Sequence, residues 1–449
     1  MRKVIITGLL KSQGKDVGAE YENLKQLEFA DYDLVKKRQE EKLRDLLLHC
    51  AKYVPYYKSS LKAFLESEGK DLSLFYSLPA LTKKELKEHK DLLTSTDCHE
   101  RACYKNFSGG STGVPVAFVQ DKHSWSVTIA QKWLFYSFLS DTLPLKNIKL
   151  WGSDRDVMQG SLGWKAQLKN LLYKRKVLNA FAMDEDKMRQ FVKEINAFKP
   201  ELIEAYVEPA AALARFILKE GISVHKPLGV MTSAGTLYPD MKDVICKAFG
   251  DCPVLDKYGS REVGDIACSC KENSGLHLNC FSLFVEILDE NMREVKAGEI
   301  GKVYVTTLDN YSMPLLRYEL GDMARVAKEK KCSCGRSMPL VSEILGREMN
   351  MFVKRDGTLV SGEFFIHFFS SVYNDDSVQR FQVVQKDYEE LLIRVVLKDK
   401  EAFEKAKPKL LLPIRKIMGE SCRIDFEECE DIPPLKSGKF LYTVCEIDK

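Results

Sequence analysis

The sequence predicts an α/β protein. Its large N-terminal α/β domain carries parallel-rich sheets and a β-rich subdomain, and a small mobile C-terminal α+β domain follows. Helical patterns alternate with short apolar runs from residue 121 to about 262, which is typical of α/β units. Alternating strand patterns dominate residues 281 to about 326. The segment after Gly346-Arg347 again mixes strands with two predicted helices, at about 364–373 and about 401–418. We therefore predict domains at 1–345 and 346–449.

Composition and charge limit the classes of protein to which this chain can belong. A chain of 449 residues can bury two or three cores, and its net charge of +3 is spread among nearly as many carboxylates, so we expect no nucleic-acid partner. The apolar runs are too short to cross a bilayer, and the run at 4–10 is too short for a secretory signal. These features predict a cytoplasmic protein without stable membrane insertion. The 13 cysteines then indicate reduced thiols or metal ligands rather than disulfides.

The N-terminal region has the pattern of a helical scaffold. Leucines recur with helical spacing between about residues 20 and 63. Further on, Thr82 is predicted to cap a helix, with Glu85 as its capping-box partner.

A Gly/Ser/Thr loop between two apolar runs is the first candidate site. It consists of Ser108, Gly109, Gly110, Ser111, Thr112 and Gly113. Backbone N–H groups and hydroxyls in such a loop can surround a phosphate, although the G-K-[ST] ending of a P-loop is absent. We predict a strand-loop-strand that binds phosphate; the alternative is a mobile surface turn.

Two predicted strands end in small residues. Ser233-Ala234-Gly235 and Tyr258-Gly259-Ser260 are suited to a nucleotide crevice at the carboxyl ends of sheet strands. Tyr258 could stack on a base, and Glu262 is a carboxylate suited to Mg²⁺. The alternative for each segment is a strand that ends in an ordinary turn.

Two single residues complete this constellation. Asp322 follows a glycine at the end of an apolar run and could accept hydrogen bonds from ribose hydroxyls, or could be only a turn residue. Lys439 lies on a Gly-containing loop of the small domain, where a lysine could enter a crevice and leave it, or could simply be solvated.

Two cysteine-rich groups suggest a metal site within about residues 264–340. Cys332 and Cys334 provide two ligands. We place Cys270 and His277 first for the other two, with Cys268 and Cys280 as alternatives, and expect both groups to lie in turn-like stretches. Four protein ligands with this chemistry predict a closed, structural Zn²⁺ site.

Taken in order, these motifs resemble the adenylate-forming acyl-CoA synthetase superfamily, within its phenylacetate–CoA ligase-like branch that includes CapK proteins of capsular polysaccharide biosynthesis and coenzyme F390 synthetases. The resemblance covers almost the whole chain. The matching elements are Ser108 to Pro115, Tyr258 to Glu262, Arg317-Tyr318-Glu319-Leu320-Gly321-Asp322, Gly346-Arg347 and Ser437-Gly438-Lys439.

The resemblance implies a fold with a rotating lid and a role for each motif. It implies that Glu262 holds Mg²⁺, that Asp322 binds the ribose hydroxyls, and that Arg347 contacts the ribose–phosphate region at the hinge. Lys439 would be the catalytic cation of the first step. Tyr258 and the segment 233–235 would hold the adenine of ATP. The C-x₄-G-L-H and C-x-C-G-R patterns also match the structural zinc site of this branch.

Three of the motifs depart from the pattern of the superfamily. Val114 replaces the loop lysine, which removes one cation from the phosphate site. Met349-Asn350 replaces an acidic pair after the hinge. Lys436, in the closing loop, is a second candidate for the catalytic cation.

The leading functional hypothesis is AMP-forming activation of a small carboxylic acid, with an aromatic acid favoured, and transfer to CoA or another thiol. The alternatives are adenylyl transfer to a hydroxyl, as in F390 synthetases, and an inactive zinc-stabilised scaffold. The sequence leaves open whether the protein forms a homodimer. The candidates for the acid pocket, each of which is also a candidate core residue, are Trp133, Tyr136, Trp151 and Tyr206.

Overall fold

The structure is a computed structural model. It describes residues 2–107, 116–151, 170, 172–180, 183–329, 331–347, 351–356, 359–361, 365, 369, 377–433 and 441–447. The chain divides into two compact units. The larger covers Met1–Ser108, Ala117–Leu320 and Ala324–Ile344, and the second is built mainly on Leu345–Lys449.

Seven helices precede the first strand in the described part of the chain. They are α1 (Arg2–Lys11), α2 (Val17–Leu27), α3 (Tyr32–Tyr53), α4 (Lys62–Glu66), α5 (Ser73–Tyr76), α6 (Lys83–Glu88) and α7 (Lys90–Leu93). The capping box is confirmed: Thr82 Oγ1 accepts a hydrogen bond from the Glu85 N–H, and Glu85 Oε2 accepts one from the Thr82 N–H at 2.8 Å. The long helical pattern is interrupted where Asp31 caps α3, because its carboxylate accepts a hydrogen bond from the Asp33 N–H.

A hairpin carries the predicted phosphate loop. Strands β1 (Tyr104–Phe107) and β2 (Ala117–Gln120) pair in antiparallel register, with Phe107 opposite Ala117. The two strands expected on either side of the loop are therefore present.

The main sheet has eleven strands within the described residues. Their bounds are β3 (Asn147–Trp151), β4 (Arg175–Asn179), β5 (Leu202–Tyr206), β6 (Gly229–Ser233), β7 (Val254–Ser260), β8 (Gly264–Ser269), β9 (Leu276–Leu278), β10 (Leu283–Leu288), β11 (Ile300–Thr307), β12 (Tyr318–Val326) and β13 (Leu340–Arg347). The spatial order is β10-β11-β12-β13-β9-β8-β7-β6-β5-β3-β4.

The sheet changes character at β7. Strands β4, β3, β5, β6 and β7 pair in parallel, whereas the β7–β8, β8–β9, β9–β13 and β10–β11 pairs are antiparallel. The predicted α/β and β-rich parts of the large domain are thus two halves of one sheet.

Within the described residues, four helices that are bounded in full accompany the parallel half. They are α8 (Lys122–Ser137), α9 (Glu185–Phe198), α10 (Val207–Glu220) and α11 (Pro239–Ala248). Helix α8 packs its buried face on the sheet and on α2, where Trp133 meets Tyr21 edge-to-face with ring centroids 6.0 Å apart.

The second unit is an α+β structure with its own core. It contains β14 (Met351–Val353), β15 (Leu359–Ser361), β16 (Val378–Asp387), β17 (Glu390–Leu397), α12 (Lys400–Met418), β18 (Arg423–Glu428) and β19 (Thr443–Cys445). One sheet has the order β18-β17-β16-β19, and β14 pairs with β15. Most of the helix expected at 364–373 lies outside the described residues.

The fold class predicted from the sequence is confirmed. No helix in the described part of the chain is long and apolar enough to span a membrane.

Candidate active site and metal centre

Two predicted nucleotide-binding segments lie at the ends of neighbouring strands. Strands β6 and β7 run in parallel with Thr232 opposite Asp256, so both end at the same edge of the sheet. Ser233 is the last residue of β6, and Ala234 continues with a positive φ of 59°. Tyr258 is half-buried near the end of β7. This edge, at the carboxyl ends of parallel strands, is where open α/β sheets bind ligands.

The hairpin between β7 and β8 positions Glu262. A Cβ atom on Gly259 would lie 2.5 Å from the Gly264 carbonyl oxygen, so the strands approach closely enough here to require glycine. Glu262 is buried in the turn that follows. Ser260 Oγ is also buried and has no hydrogen-bond partner among the described residues. The hairpin thus combines a carboxylate with an unsatisfied hydroxyl, a donor set that suits a magnesium–nucleotide ligand.

Asp322 lies within β12 and its side chain is buried. The alternative in which Asp322 is only a turn residue is therefore wrong, because the strand continues to Val326. Arg347 is the last residue of β13.

Arg317, the first residue of the motif that ends at Asp322, has a structural role that its sequence pattern did not reveal. Its guanidinium is buried and makes two hydrogen bonds to the Glu286 carboxylate, at 3.1 and 3.0 Å. It also donates to the carbonyl oxygens of Tyr76 and Leu78 at 2.7 and 2.8 Å. Arg317 therefore connects the start of β12 with β10, with the last residue of α5 and with the segment that follows it.

Several predicted residues lie outside the described part of the chain. These are Ser108, Gly109, Gly110, Ser111, Thr112, Gly113, Val114, Met349, Asn350, Lys436 and Lys439. Their roles stay predictions.

Four of the candidate metal ligands converge. The ligand atoms of Cys270, His277, Cys332 and Cys334 all lie within 4.8 Å of one another. Cys270 Sγ is 3.6 Å from Cys332 Sγ, and Cys334 Sγ is 3.4 Å from His277 Nε2. The alternatives Cys268 and Cys280 are not part of this group. Three thiols and one imidazole form a donor set that Zn²⁺ prefers in closed structural sites.

The sheet explains how residues so distant in sequence meet. Strand β9 lies between β8 and β13, with His277 opposite Cys268 on one side and Leu340 on the other. Cys270 directly follows β8. The expectation that every ligand lies in a turn-like stretch is wrong for His277, because a short strand completes the sheet at that residue.

Residues next to the four candidate ligands determine how the strands pack there and which protonation state His277 adopts. A Cβ on Gly275 would be 2.5 Å from the Val341 carbonyl oxygen, so glycine lets β9 approach β13. The Arg336 guanidinium lies 4.0 Å from the Phe138 ring centroid and bonds Glu28 at 2.7 Å. Burial, with a smaller contribution from Arg336, lowers the pKa of His277 to about 4, so its ring is neutral, the form that binds metal.

The four aromatic pocket candidates fall into two groups. Trp133 belongs to the core beneath α8, and Tyr136 is buried beside it. Trp151 and Tyr206, at the carboxyl ends of β3 and β5, face each other with ring centroids 4.1 Å apart. The second pair lies at the ligand-binding edge of the sheet.

A buried charge network was missed in the sequence. Glu204 lies at the centre of β5 and accepts hydrogen bonds from lysines on neighbouring elements. The signal was present, because a glutamate interrupts the apolar run of β5 and Lys149 interrupts that of β3. Neither interruption by itself says which groups meet.

Comparisons with known proteins support the resemblance. Residues 352–446 match the CapK C-terminal domain family. The chain is similar to Protein CapK of Staphylococcus aureus, with 24% identity over 95% of this chain and 92% of that protein. It is also similar to a phenylacetate–coenzyme A ligase of Thermus thermophilus, with 24% identity over 74% of each chain.

A solved structure has the same fold. The crystal structure of 2-hydroxyisobutyryl-CoA ligase in the postadenylation state, in complex with R3-HIB-AMP, superposes with a TM-score of 0.72 and 18% identity, covering 94% of this chain and 91% of that one. The resemblance to the CapK and phenylacetate–CoA ligase branch is confirmed.

Proposed function

We propose that this chain, which resembles the CapK and phenylacetate–CoA ligase branch of adenylate-forming enzymes, is an AMP-forming acid–thiol ligase. It activates a small carboxylic acid with ATP and passes the acyl group to CoA or another thiol. The observation that carries the proposal is the edge of the sheet where segments 233–235 and 258–260 end side by side, with buried Glu262 in the next turn. Similarity to CapK over nearly the whole chain supports it.

The proposed reaction has two steps. An oxygen of the acid carboxylate attacks the α-phosphorus of ATP, an O–P bond forms, and the bond from that phosphorus to pyrophosphate breaks. The thiol sulfur then attacks the acyl carbonyl; a thioester forms, AMP leaves, and the thiol proton passes to solvent. Both reactants of the first step are anions, so cationic and N–H groups are needed to stabilise the charge that develops on pyrophosphate.

The proposed residue roles follow from that charge. Glu262 would hold Mg²⁺, which neutralises phosphate charge when bound. Asp322 would accept hydrogen bonds from the ribose hydroxyls, and Tyr258 would stack on the adenine. Arg347 would contact the ribose–phosphate region. Lys439, carried by a mobile C-terminal domain, would act in the first step and be withdrawn before the thiol arrives.

The acid pocket is proposed to lie beside Trp151 and Tyr206. These two rings lie at the carboxyl ends of β3 and β5 with their planes tilted by 35°, and aromatic surfaces favour a flat, aromatic acid.

We expect acid-dependent ATP–pyrophosphate exchange in the presence of Mg²⁺ when pools of aryl and short-chain acids are supplied. Exchange should require an acid, and adding CoA should convert the active acid to a thioester with release of AMP. Reactions without acid are the control. If no pool of acids supports exchange and calorimetry detects no ATP binding, the proposal is contradicted and the zinc-stabilised scaffold is favoured.

We further propose that Cys270, His277, Cys332 and Cys334 bind a structural Zn²⁺ ion. The three thiols, the neutral imidazole and the separations below 4.8 Å support it. The site would join β8, β9 and the connection between β12 and β13, which no described disulfide links.

Removal of one ligand should release the metal and destabilise the large unit. We expect about one zinc ion per purified chain, and we expect Cys332→Ser to lose it and to lower the thermal unfolding midpoint by about 5–10 °C. Elemental analysis and thermal melts measure the two effects. Cys280→Ala, a buried thiol outside the cluster, is the matched control and should retain the metal. Equal metal content in both variants would refute the site.

A further inference from the structure

The buried Glu204 carboxylate is surrounded by cations. Its side chain is 0% exposed, and its oxygens lie 3.0 Å from Lys132 Nζ, 2.8 Å from Lys149 Nζ and 2.8 Å from Lys257 Nζ. The Tyr136 hydroxyl donates to it at 2.8 Å. Four donors from α8, β3 and β7 therefore converge on one carboxylate.

The charges in this network balance only when one lysine is neutral. Fully protonated, Lys132, Lys149 and Lys257 supply three positive charges, whereas Glu204 and Asp265, which lies 3.4 Å from Lys257, supply two negative charges among the described residues. A buried charge in excess is costly, so the network loses a proton readily, and an added anion would stabilise the fully protonated form.

Solvent reaches two of the three lysines. The side chains of Lys132 and Lys149 are 24% and 15% exposed, whereas that of Lys257 is 4% exposed. Burial, and then the neighbouring ammonium groups of Lys132 and Lys257, lower the pKa of Lys149 to about 7 despite the opposing Glu204 charge. An anion that reaches this network would meet Lys132 and Lys149 first.

The network lies next to the aromatic pair proposed for the acid pocket. Toward the amino ends of the strands, Leu202 and Leu255 belong to the apolar core under α8. Toward the carboxyl ends, the Trp151 and Tyr206 rings are tilted by 35° with centroids 4.1 Å apart, and Lys149 Nζ is 5.1 Å from the Trp151 ring centroid. At least one cation of the network thus adjoins the aromatic rings.

We infer that the acid substrate is a dicarboxylic acid, whose carboxylate remote from the reacting one binds the Lys132 and Lys149 ammonium groups. This inference rests on the proposed function and names the substrate class. Lys149 precedes Trp151 by two residues, which is roughly 7 Å along a strand. That depth accommodates a ring or a short chain between two carboxylates. The second anion would neutralise the excess charge of the network.

Matched pairs of acids test the inference by pyrophosphate exchange. Benzoate is compared with terephthalate, and phenylacetate with 4-carboxyphenylacetate. In the wild type we expect kcat/KM for the dicarboxylate to exceed that for its monoacid by about 10- to 100-fold, the effect of one or two charge-assisted hydrogen bonds. Lys149→Met should reduce this ratio by about tenfold or more. Equal kcat/KM values for both members of each pair in the wild type would overturn the inference.

A stability measurement separates ligand binding from a purely structural ion network. Below the Lys149 pKa of about 7, Lys149→Met removes the excess charge. At pH 6 its thermal midpoint should therefore equal or exceed that of the wild type, whereas a structural network would be weakened by the loss. Lys176→Met is the matched control, since Lys176 is a strand lysine paired with Glu194 on β4 and α9. It should keep the wild-type acid ratio. A lower midpoint for Lys149→Met with an unchanged acid ratio would refute the inference.

A binding measurement distinguishes failure of the inference from failure of the proposed function. Terephthalate without ATP should raise the thermal midpoint of the wild type and not that of Lys149→Met. If terephthalate raises the thermal midpoint but the protein catalyses no pyrophosphate exchange, the anion site is supported and the proposed ligase activity is contradicted. If the thermal midpoint does not shift and the wild type shows no preference for the dicarboxylic acid, the dicarboxylate inference is rejected.

Discussion

Replacement of Lys439 by alanine is expected to slow acid-dependent ATP–pyrophosphate exchange by about 10²–10³-fold, because in the proposed mechanism it removes the cation that would offset repulsion between carboxylate and α-phosphate. Val114 already removes the loop lysine of the superfamily pattern, so Lys439 would carry more of this charge stabilisation here. Exchange measured at saturating ATP, with protein integrity checked by circular dichroism, gives the effect.

Two comparisons give this experiment its specificity. Lys436→Ala alters a lysine of the same closing loop and should reduce exchange by less than about tenfold, as expected for a peripheral charge. The second step, started from preformed acyl-adenylate and thiol, should be nearly normal in Lys439→Ala because Lys439 is proposed to act only in the first step. Equal losses in both variants, or in both steps, would assign Lys439 no special role.

The second large effect is expected on stability. Arg317→Met should lower the free energy of unfolding by about 3–5 kcal/mol, because it leaves the buried Glu286 carboxylate without its cation. The carbonyl oxygens of Tyr76 and Leu78 lose their donor as well. Urea unfolding followed by tryptophan fluorescence measures the loss.

The loss should depend on pH with a definite sign. Burial raises the pKa of Glu286 even with Arg317 beside it, and removing Arg317 raises the pKa further. The native variant then binds more protons than the unfolded chain between the two pKa values, so its stability falls as pH rises through that interval. The difference from the wild type should therefore be larger at pH 8 than at pH 5.

A double variant isolates the charge. Arg317→Met/Glu286→Leu should recover part of the stability and lose the pH dependence, while the two unpaired carbonyl oxygens keep it below the wild type. A double variant no more stable than Arg317→Met, with the same pH dependence, would show that the ion pair is not the cause.

Local sequence patterns predicted the features that depend on neighbouring residues. The capping box of Thr82 and Glu85 needs only three residues of spacing, and both partners were named correctly. The strands on either side of residues 108–115 follow from alternating apolar runs. The α/β class follows from the order of helices and strands. In each case the stabilising contact is local or repeats with the period of the element.

Contacts between distant segments were predicted less well. The cysteine and histidine spacing named the four residues that converge, but left Cys268 and Cys280 open, because spacing says nothing about which side chains face each other across β8, β9 and β13. The motif that ends at Asp322 contains Arg317, whose partners lie more than thirty residues away and were invisible in the pattern.

The sequence by itself therefore determined the fold class, the order of the motifs and the kinds of side chain available for a site. These features depend on residue identity and local periodicity. Only the tertiary structure decided that Glu204 lies among three lysines, that Arg317 is a buried connection and that four ligands share one small volume. The physical reason is that burial and charge balance depend on which residues lie close together in the folded chain. Strand order brings together residues from β3, β5 and β7 that are far apart along the sequence.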